Sequence, residues 1–192
     1  NSICSKAWFP NNEEEVKEIF RKNSNKPLII IGNGNNIILS RAFYEEEFII
    51  FNGCFDKVIL NNNVLESEAG TTLSKLSEIA LSQSLTGLEI FYDIPSSVGG
   101  AVVMNAGTKE GEIKDIIEHV RYLDLFDMQI KEIEKEEINF EYRNSFFQNQ
   151  TNKIVLKAWF KLKRGNYSDI KSYMEKYKKM RWDKQPRDYP NC

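Results

Sequence analysis

The first regular pattern along the chain is an apolar stripe with helical spacing. Val16, Ile19 and Phe20 recur at intervals of three and four, which places them on one face of a helix over residues 13–23. Asn11 or Asn12 is a suitable N-cap, and the acidic first turn favours a helix start. The sequence therefore predicts an amphipathic helix near the N-terminus.

Short, continuous apolar runs follow this helix. Residues 27–31 form an unbroken apolar run, which is typical of a buried strand. A loop of glycine and asparagine at residues 32–36 comes next, and the apolar run at residues 37–39 predicts a second strand. The first 40 residues thus predict a helix, a strand, a glycine–asparagine loop and another strand.

The remainder of the chain alternates strand patterns with two further helices. Thr72 is a suitable N-cap for a helix that runs to about residue 84, with Leu73 and Leu76 on its apolar face. A basic helix is predicted over residues 168–181. Strands are predicted at residues 48–51, 57–60, 64–69, 116–125, 129–134 and 153–162. Helices and short strands are mixed without regular βα alternation, which predicts an α+β fold.

Composition narrows the possible partners. The 192 residues suffice for one large domain or two small ones, and 41% of them are hydrophobic, as in soluble globular proteins. The 26 basic and 28 acidic residues leave a net charge of -2, which argues against nucleic acid or an anionic membrane as the main partner. No apolar run approaches the roughly 20 residues of a membrane span. We expect a cytoplasmic protein whose natural N-terminus lies upstream, because the chain does not begin with methionine.

The cysteine and histidine content disfavours several kinds of site. Cys4, Cys54 and Cys192 lie far apart, and His119 is the only histidine. They cannot build a Cys/His zinc site, so we predict no metal centre and reduced thiols. His119 falls in a predicted strand, where a half-buried structural role is expected. Hydrolase mechanisms that need an imidazole base are correspondingly disfavoured.

Residues 32–36 (Gly-Asn-Gly-Asn-Asn) form the first segment that could carry chemistry. A tight Gly-x-Gly turn directly after a buried strand exposes successive backbone N–H groups, which suit an anion such as a diphosphate. An ordinary turn between strands is the alternative. The segment is not a Rossmann fingerprint, because no GxGxxG opens a helix, and no Walker A motif is present.

The second such segment, residues 94–107, contains two adjacent glycines, a proline and small hydroxyl residues. It predicts a tightly packed loop or helix start with many free N–H groups. Residues 101–104 would present a small apolar surface to a flat ring system or a diphosphate. A glycine-rich crossover in the core is the alternative. Together, the two segments suggest two walls around one elongated, phosphate-bearing ligand.

The third segment is residues 140–147, in which aromatic residues flank Tyr142 and Arg143, and Ser145 follows. A fixed guanidinium there could hold an oxyanion or stabilise a developing enolate. An arginine that is ion-paired in an ordinary loop is the alternative.

The order and spacing of these three segments resemble the UDP-N-acetylenolpyruvoylglucosamine reductases, the flavin enzymes of the second committed step of peptidoglycan synthesis. The family pattern is L-G-G-G-S-N-L, then I-P-G-T-V-G-G-A-V-x-M-N-A-G, then Y-R-x-S-x-F. Residues 31–37, 94–107 and 142–147 correspond to these motifs. Residues 181–186 resemble the R-x-x-K-Q-P that precedes the family's G-S-x-F-K. The resemblance covers most of the chain, and its second motif is highly specific.

The resemblance implies an α+β, FAD-binding fold of the VAO/PCMH type, in which FAD lies between two α/β lobes. It divides the chain into a first FAD-binding lobe over residues 1–45 and a second over residues 46–165. The helix over residues 166–192 would lead to a C-terminal substrate domain that this chain lacks. The family's proton-donating serine, in G-S-x-F-K, and a later catalytic glutamate are expected beyond Cys192.

The resemblance also implies FAD as cofactor, NADPH as hydride donor and UDP-N-acetylglucosamine enolpyruvate as substrate of a monomeric reductase. Arg143 would be catalytic, because its guanidinium would stabilise the enolate-like charge on the substrate. Tyr142, Ser145 and Lys184 would bind substrate, with Lys184 near the phosphates of the substrate or of NADPH. Cofactor contacts are expected from Gly32, Asn33, Gly34, Asn35, Asn36, Pro95, Ser96, Ser97, Gly99, Gly100, Asn105, Ala106 and Gly107.

The chain departs from the family pattern in its loops. Asn33 and Asn35 replace a glycine and a serine, and Ser96 and Ser97 replace Gly-Thr, although these residues keep turn-forming and hydrogen-bonding ability. Near Gly111, the family's frequent A-Y-G is altered. Two other functions stay open: a different flavin oxidoreductase of the same fold, which would bind FAD but no UDP-sugar, and a non-catalytic module that binds flavin or a UDP-sugar.

Overall fold

The computed structural model of the protein describes residues 2–24 and 26–185. Its strands are β1 (Ile3–Cys4), β2 (Ala7–Trp8), β3 (Leu28–Ile31), β4 (Phe43–Tyr44), β5 (Glu47–Ile50), β6 (Val58–Asn61), β7 (Val64–Glu68), β8 (Leu85–Thr86), β9 (Gly107–Thr108), β10 (Gly111–Glu112), β11 (Ile117–Asp124), β12 (Gln129–Glu134), β13 (Lys153–Lys161) and β14 (Lys163–Arg164). Its α-helices are α1 (Glu13–Lys22), α2 (Leu73–Ser82), α3 (Val98–Val103), α4 (Phe146–Asn149) and α5 (Tyr167–Trp182). Short 3₁₀ turns occur at Glu89–Phe91, Ile113–Asp115 and Lys135–Glu137.

The strands form two main sheets of different kinds. A three-stranded parallel sheet has the order β2-β5-β3, and a five-stranded antiparallel sheet has the order β12-β11-β13-β7-β6. Three pairs of two-residue strands complete the structure: β1 with β4, β8 with β14, and β9 with β10. Sheets of both kinds, packed with helices, confirm the predicted α+β class.

Side-chain caps explain where the main helices begin. Asn12 Oδ1 accepts from the Glu15 amide at 2.9 Å at the start of α1, and Thr72 Oγ1 accepts from the Lys75 amide at 3.1 Å at the start of α2. Asn166 Oδ1 accepts from the Ser168 amide at 2.9 Å at the start of α5. The three predicted helices are therefore confirmed, and the predicted strands from residue 48 onward are confirmed to within a residue or two.

One apolar core joins the two sheets. Val16 of α1 and Ile49 of β5 belong to the same buried cluster as Leu65 of β7 and Phe160 of β13. The proposed lobe boundary at residue 45/46 falls just before β5, yet β5 pairs with β2 and β3 in the parallel sheet. The division into lobes stays a prediction, and the strand pairing favours a first lobe that extends through β5.

The predicted strand at residues 37–39 is wrong. These residues lie outside any strand, and their side chains are exposed, to 83% at Ile38. An apolar run indicates only that its side chains favour burial, and a strand also needs a hydrogen-bonded neighbour. No strand in the described residues pairs with residues 37–39. The run leaves an exposed apolar segment directly after the glycine–asparagine loop.

The remaining predictions concern His119, the cysteines and membrane or metal sites. His119 is half-buried on β11, and its ring stacks on Trp159 with centroids 4.2 Å apart, which fits a structural role. Cys4 and Cys54 form no disulfide among the described residues, and Cys192 lies outside them. None of the described helices combines the length and apolar character needed to cross a bilayer. The described Asp, Glu, His and Cys side chains form no group of three that could hold a metal ion.

Candidate functional site

The first loop, residues 32–36, follows the carboxyl end of β3 and leaves its backbone amides unused. Across residues 2–24 and 26–185, none of these five N–H groups donates a hydrogen bond to the protein. Gly34 has φ +71°, a left-handed conformation that glycine adopts without steric cost and that turns the chain within the loop. The half-buried Asn33 holds its Oδ1 atom away from solvent without a hydrogen-bond partner. The loop thus offers successive donors and one acceptor to a ligand.

The first and second segments contact each other directly. Asn35 Nδ2 donates to the Pro95 carbonyl at 3.0 Å. A Cβ atom added to Gly32 would overlap the Ser97 hydroxyl and lie 3.2 Å from Ser97 Cβ. Glycine at position 32 therefore allows this close approach without displacing the Ser97 hydroxyl. The structure brings Gly32, Asn35, Pro95 and Ser97 together, and these residues line the junction of the two walls expected from the sequence.

The second segment does not supply the many free amides that were expected of it. The amides of Val98 and Gly99 donate to the carbonyls of Thr71 and Ala69, both at 2.8 Å, and the Gly100 amide donates to Ser97 Oγ at 3.3 Å. That expectation is wrong for these three residues because the start of α3 is hydrogen-bonded into the fold.

Glycine in the second segment serves close packing. A Cβ atom at Gly99 would lie 3.0 Å from Ala69 Cβ, so glycine lets α3 approach the segment that follows β7. Ala101 and Val102 are fully buried, and Met104 is exposed to 37%. The expected apolar surface over residues 101–104 is therefore wrong for Ala101 and Val102, which face the core.

The end of the second segment is also interior. Asn105 and Ala106 are buried, and Asn105 has φ +42°. The Asn105 side chain binds within the protein through both its oxygen and its nitrogen. Gly107 is buried, and a Cβ atom there would overlap the Gly111 carbonyl oxygen. These residues support the site from behind and leave their side chains no free polar atom for a ligand.

The third segment forms a tight turn with Tyr142 and Arg143 at its tip. The amides of Glu141 and Asn144 donate to each other's carbonyls at 3.0 and 3.2 Å. Arg143 has φ +54°, a left-handed conformation that costs a non-glycine residue about 1 kcal/mol. Its Nη2 donates to the Gly107 carbonyl at 3.1 Å, and the side chain is otherwise exposed. The turn places a cation next to the second segment.

The two neighbours of Arg143 differ sharply in exposure. Tyr142 is 82% exposed, and the Arg143 guanidinium lies 5.6 Å from its ring centroid. Ser145 is fully buried, and its hydroxyl donates to the Val103 carbonyl at 2.7 Å. Tyr142 is accessible to a ligand, whereas the hydroxyl of Ser145 is committed to the protein.

Lys184 lines a cavity of about 210 Å³ between the end of α5 and the β9–β10 hairpin, which begins at Gly107, the last residue of the second segment. Thr108 Oγ1 donates to the Glu110 carboxylate, which lowers the pKa of Glu110, and the charges of Lys109 and Lys184 lower it further. Pro186, the last residue of the segment 181–186 that resembles R-x-x-K-Q-P, lies outside the described residues. Lys109 also lines this cavity, although the sequence did not single it out. The one sequence feature that could have indicated it is the departure from the family's A-Y-G near Gly111.

Known proteins share both the sequence and the fold of this chain. A sequence-family model described as an FAD binding domain matches residues 6–130. The UDP-N-acetylenolpyruvoylglucosamine reductase of Clostridium novyi (strain NT) is 39% identical over 185 residues, which cover 95% of this chain and 59% of that protein. The enzyme of the same name from Pediococcus pentosaceus is 37% identical over 186 residues, which cover 96% of this chain and 61% of that protein. The chain thus spans about three fifths of the length of these curated relatives.

Solved structures give the same picture. The crystal structure of the UDP-N-acetylenolpyruvylglucosamine reductase from Thermus caldophilus matches with a TM-score of 0.80 and 32% identity, over 94% of this chain and 64% of that chain. An alkyldihydroxyacetonephosphate synthase matches with a TM-score of 0.60 at 18% identity, over 82% of this chain and 31% of that chain, which shows a shared fold alone.

Proposed function

The chain belongs to the FAD-binding domain family, and on that premise we propose that it is the flavin-binding part of a UDP-N-acetylenolpyruvoylglucosamine reductase. The whole enzyme would use NADPH to reduce UDP-N-acetylglucosamine enolpyruvate to UDP-N-acetylmuramate, a peptidoglycan precursor. We further propose that it works as a cytoplasmic monomer, without a nucleic-acid or membrane partner. The identities of 39% and 37% to two reductases of that name support the proposal.

The observation that carries the proposal is the first loop. Five unused amides, the left-handed Gly34 and the unpartnered Asn33 Oδ1 form a cradle that suits a diphosphate and a neighbouring donor group. The contact between Gly32 and Ser97 closes one end of this cradle against the second segment. These residues fit FAD, whose diphosphate would lie on the amides of residues 32–36.

The expected cofactor residues then fall into two groups. The first loop, its facing residues Pro95, Ser96 and Ser97, and the exposed Gly100 would contact FAD, whereas Gly99, Asn105, Ala106 and Gly107 would shape the site from within the fold. The exposed apolar residues 37–39 lie directly after the cradle and would cover the less polar parts of the cofactor. When bound, FAD supplies the hydride-transfer chemistry, and the protein supplies position and electrostatics.

Arg143 would stabilise the negative charge that develops on the substrate when hydride adds to the enolpyruvyl double bond. A guanidinium has five N–H donors, and the Arg143 group forms only one hydrogen bond, from Nη2, to the Gly107 carbonyl within the described residues. The other donors can therefore contact the substrate. A preorganised cation of this kind commonly contributes about 10²–10³ in rate. Tyr142 would help to hold the substrate, and the proton donor would lie in the part of the reductases that this chain does not span.

Lys184 would bind the phosphates of the substrate or of NADPH. It is exposed, and it shares with Lys109 a cavity beside the β9–β10 hairpin, whose first residue, Gly107, also accepts from Arg143. The hairpin therefore accepts a hydrogen bond from Arg143 at Gly107 and borders the cavity that Lys184 lines.

The proposal is tested by replacing Arg143→Ala in the full-length protein, with Arg164→Ala as a matched control. Both arginines are exposed and donate one guanidinium hydrogen bond to a backbone carbonyl, of Gly107 and of Gln83. We expect Arg143→Ala to lower the kcat for NADPH-dependent reduction of UDP-N-acetylglucosamine enolpyruvate about 10²–10³-fold. The visible flavin absorption should be unchanged in both variants, and the control should keep its kcat.

Three outcomes would contradict the proposal in different ways. A protein that binds FAD but neither binds nor reduces the UDP-sugar would be another flavin oxidoreductase of this fold. A protein that binds the UDP-sugar and never turns over would be a binding module. Equal loss of kcat in the Arg143 and Arg164 variants would remove Arg143 from the mechanism.

A further inference from the structure

Asn105 connects the second segment to the turn that carries Arg143. Its side chain is fully buried, and Nδ2 donates to the Glu141 carbonyl at 2.9 Å, at the base of that turn. Nδ2 also donates to Glu112 Oε2 at 3.1 Å, while Oδ1 accepts from the Lys114 amide at 3.1 Å. One buried amide thus joins the second segment to residues 112–114 and to the base of the turn.

Two further hydrogen bonds repeat this connection on either side. Ser145 Oγ donates to the Val103 carbonyl at 2.7 Å, and Arg143 Nη2 donates to the Gly107 carbonyl at 3.1 Å. Residues 103, 105 and 107 therefore each form a hydrogen bond with the 141–144 turn or with Ser145, which follows it. Of the three connections, only the one from Asn105 reaches the turn before Arg143.

The backbone at both ends of the connection is in an unusual conformation. Asn105 has φ +42° and Arg143 has φ +54°. Asparagine tolerates the left-handed region better than most residues, which favours it at position 105, but the arginine is held there at a cost. A strained conformation persists only where its surroundings determine it, and the hydrogen bonds to residues 103, 105 and 107 are those surroundings.

We propose that Asn105 is a positioning residue for Arg143: its amide fixes the base of the 141–144 turn and thereby the location of the guanidinium beside the flavin-binding segments. The role of Arg143 in this inference rests on the proposed function. The placement of the turn by Asn105 is independent of that function. A misplacement of about 1 Å can cost roughly 10²-fold in rate, so a residue that never touches substrate can control kcat.

The test replaces Asn105→Gly in the full-length enzyme, alone and combined with Arg143→Ala. Glycine accepts the left-handed backbone, so the variant removes the amide without adding strain. The control is Ser77→Ala in α2, because Ser77 is also buried and its hydroxyl contacts the carbonyls of Leu73 and Leu88 at 2.8 and 3.0 Å. We expect Asn105→Gly to lower kcat about 10- to 100-fold and Ser77→Ala to change it less than about twofold.

The double variant separates positioning from general damage. If Asn105 acts through Arg143, then Asn105→Gly should lower kcat less than about threefold once Arg143 is already alanine. Losses that multiply in the double variant would overturn the inference. Should the glycine variant not fold, Asn105→Asp keeps the size and the acceptor for the Lys114 amide but loses the donors to the Glu141 carbonyl and to Glu112. The same non-additivity is expected.

Hydrogen exchange tests the placement without any catalytic assay. The amides of Glu141 and Asn144 bond to each other's carbonyls, so their exchange reports whether the turn stays closed. We expect Asn105→Gly to speed exchange at these two amides about tenfold relative to Ser77→Ala. Unchanged exchange would overturn the inference. A wild-type enzyme that does not reduce the UDP-sugar would overturn the proposed function, and the exchange result would still decide the role of Asn105.

Discussion

The contact between Gly32 and Ser97 allows a quantitative prediction about the junction of the two ligand-binding walls. In a Gly32→Ala variant, the new methyl group would overlap the Ser97 hydroxyl, so one of the two must move. The Ser97 hydroxyl also caps α3, where it accepts from the Gly100 amide at 3.3 Å. Rotating the hydroxyl away from the methyl group would give up this cap.

The expected free energies follow from that shared atom. Loss of a serine N-cap costs about 1 kcal/mol, which is the expected effect of Ser97→Ala alone. Gly32→Ala should cost about 1–2 kcal/mol, because it displaces the same hydroxyl and crowds Ser97 Cβ at 3.2 Å. In the double variant the hydroxyl is already absent, so we expect a total of about 1–1.5 kcal/mol instead of the 2–3 kcal/mol of independent changes.

The assay is urea unfolding of the wild type, the two single variants and the double variant, with FAD titrations on the same samples. Gly53→Ala combined with Ser97→Ala is the control cycle. Gly53 has φ +77°, so alanine is strained there, but a Cβ atom would meet nothing within 4 Å. We expect additivity in the control cycle and a coupling of about 0.5–2 kcal/mol in the Gly32–Ser97 cycle.

FAD affinity adds a functional measurement to the same cycle. If the clash pushes the walls apart, Gly32→Ala should weaken FAD binding about tenfold, and Ser97→Ala should restore part of the loss. Additive unfolding free energies in the Gly32–Ser97 cycle would refute the contact. Coupled stabilities with unchanged FAD affinity would refute the location of the cofactor at this junction.

Two further predictions concern buried polar contacts. The pKa of Asp124 lies well below its ordinary value because Lys131 and Lys153 donate to its carboxylate, so this carboxylate stabilises the fold above about pH 4 and the effect is lost as the pH falls. Asp124→Asn should lower Tm at pH 7 by roughly 3–6 °C, and the difference in Tm from the wild type should shrink toward pH 3. The more exposed Asp127→Asn is the control and should change Tm less. A Tm difference for Asp124→Asn that stays constant across pH would contradict the assignment. Ser145→Ala should cost about 1 kcal/mol in urea unfolding, because the carbonyl of the half-buried Val103 loses its donor, while the exposed Ser82→Ala should stay within about 0.5 kcal/mol. A raised KM at unchanged stability would instead assign Ser145 to the substrate.

Much of the fold could be predicted from local pattern. The helical spacing of Val16, Ile19 and Phe20 and the caps at Asn12 and Thr72 are signals within a few residues of one another, and the helices begin where these signals place them. The apolar run at residues 37–39 had the same local signal as a strand. It failed because a strand also needs a partner edge, which depends on residues far away in sequence.

The candidate site divided in a similar way. The sequence alone determined that two glycine-rich segments and a Tyr-Arg turn exist, and their order was sufficient to indicate the family. It could not show which backbone amides remain without a hydrogen bond. The amides of residues 32–36 donate none within the described residues, whereas those of Val98 and Gly99 donate to the carbonyls of Thr71 and Ala69. Hydrogen-bond partners distant in sequence decided the difference.

The same reason explains why neighbouring site residues differ in their surroundings. Tyr142 and Ser145 lie three positions apart in one motif, yet one is exposed and the other has no exposed surface. Asn105 and Gly107 are expected at the ligand from the sequence, and the structure shows that both also hydrogen-bond to the turn that carries Arg143. Residue type and spacing determine what a side chain is able to do, because these depend on covalent structure and local backbone conformation. Tertiary packing decides which polar atoms are left available to a ligand, because a buried hydrogen-bonding group must first find its partner within the protein.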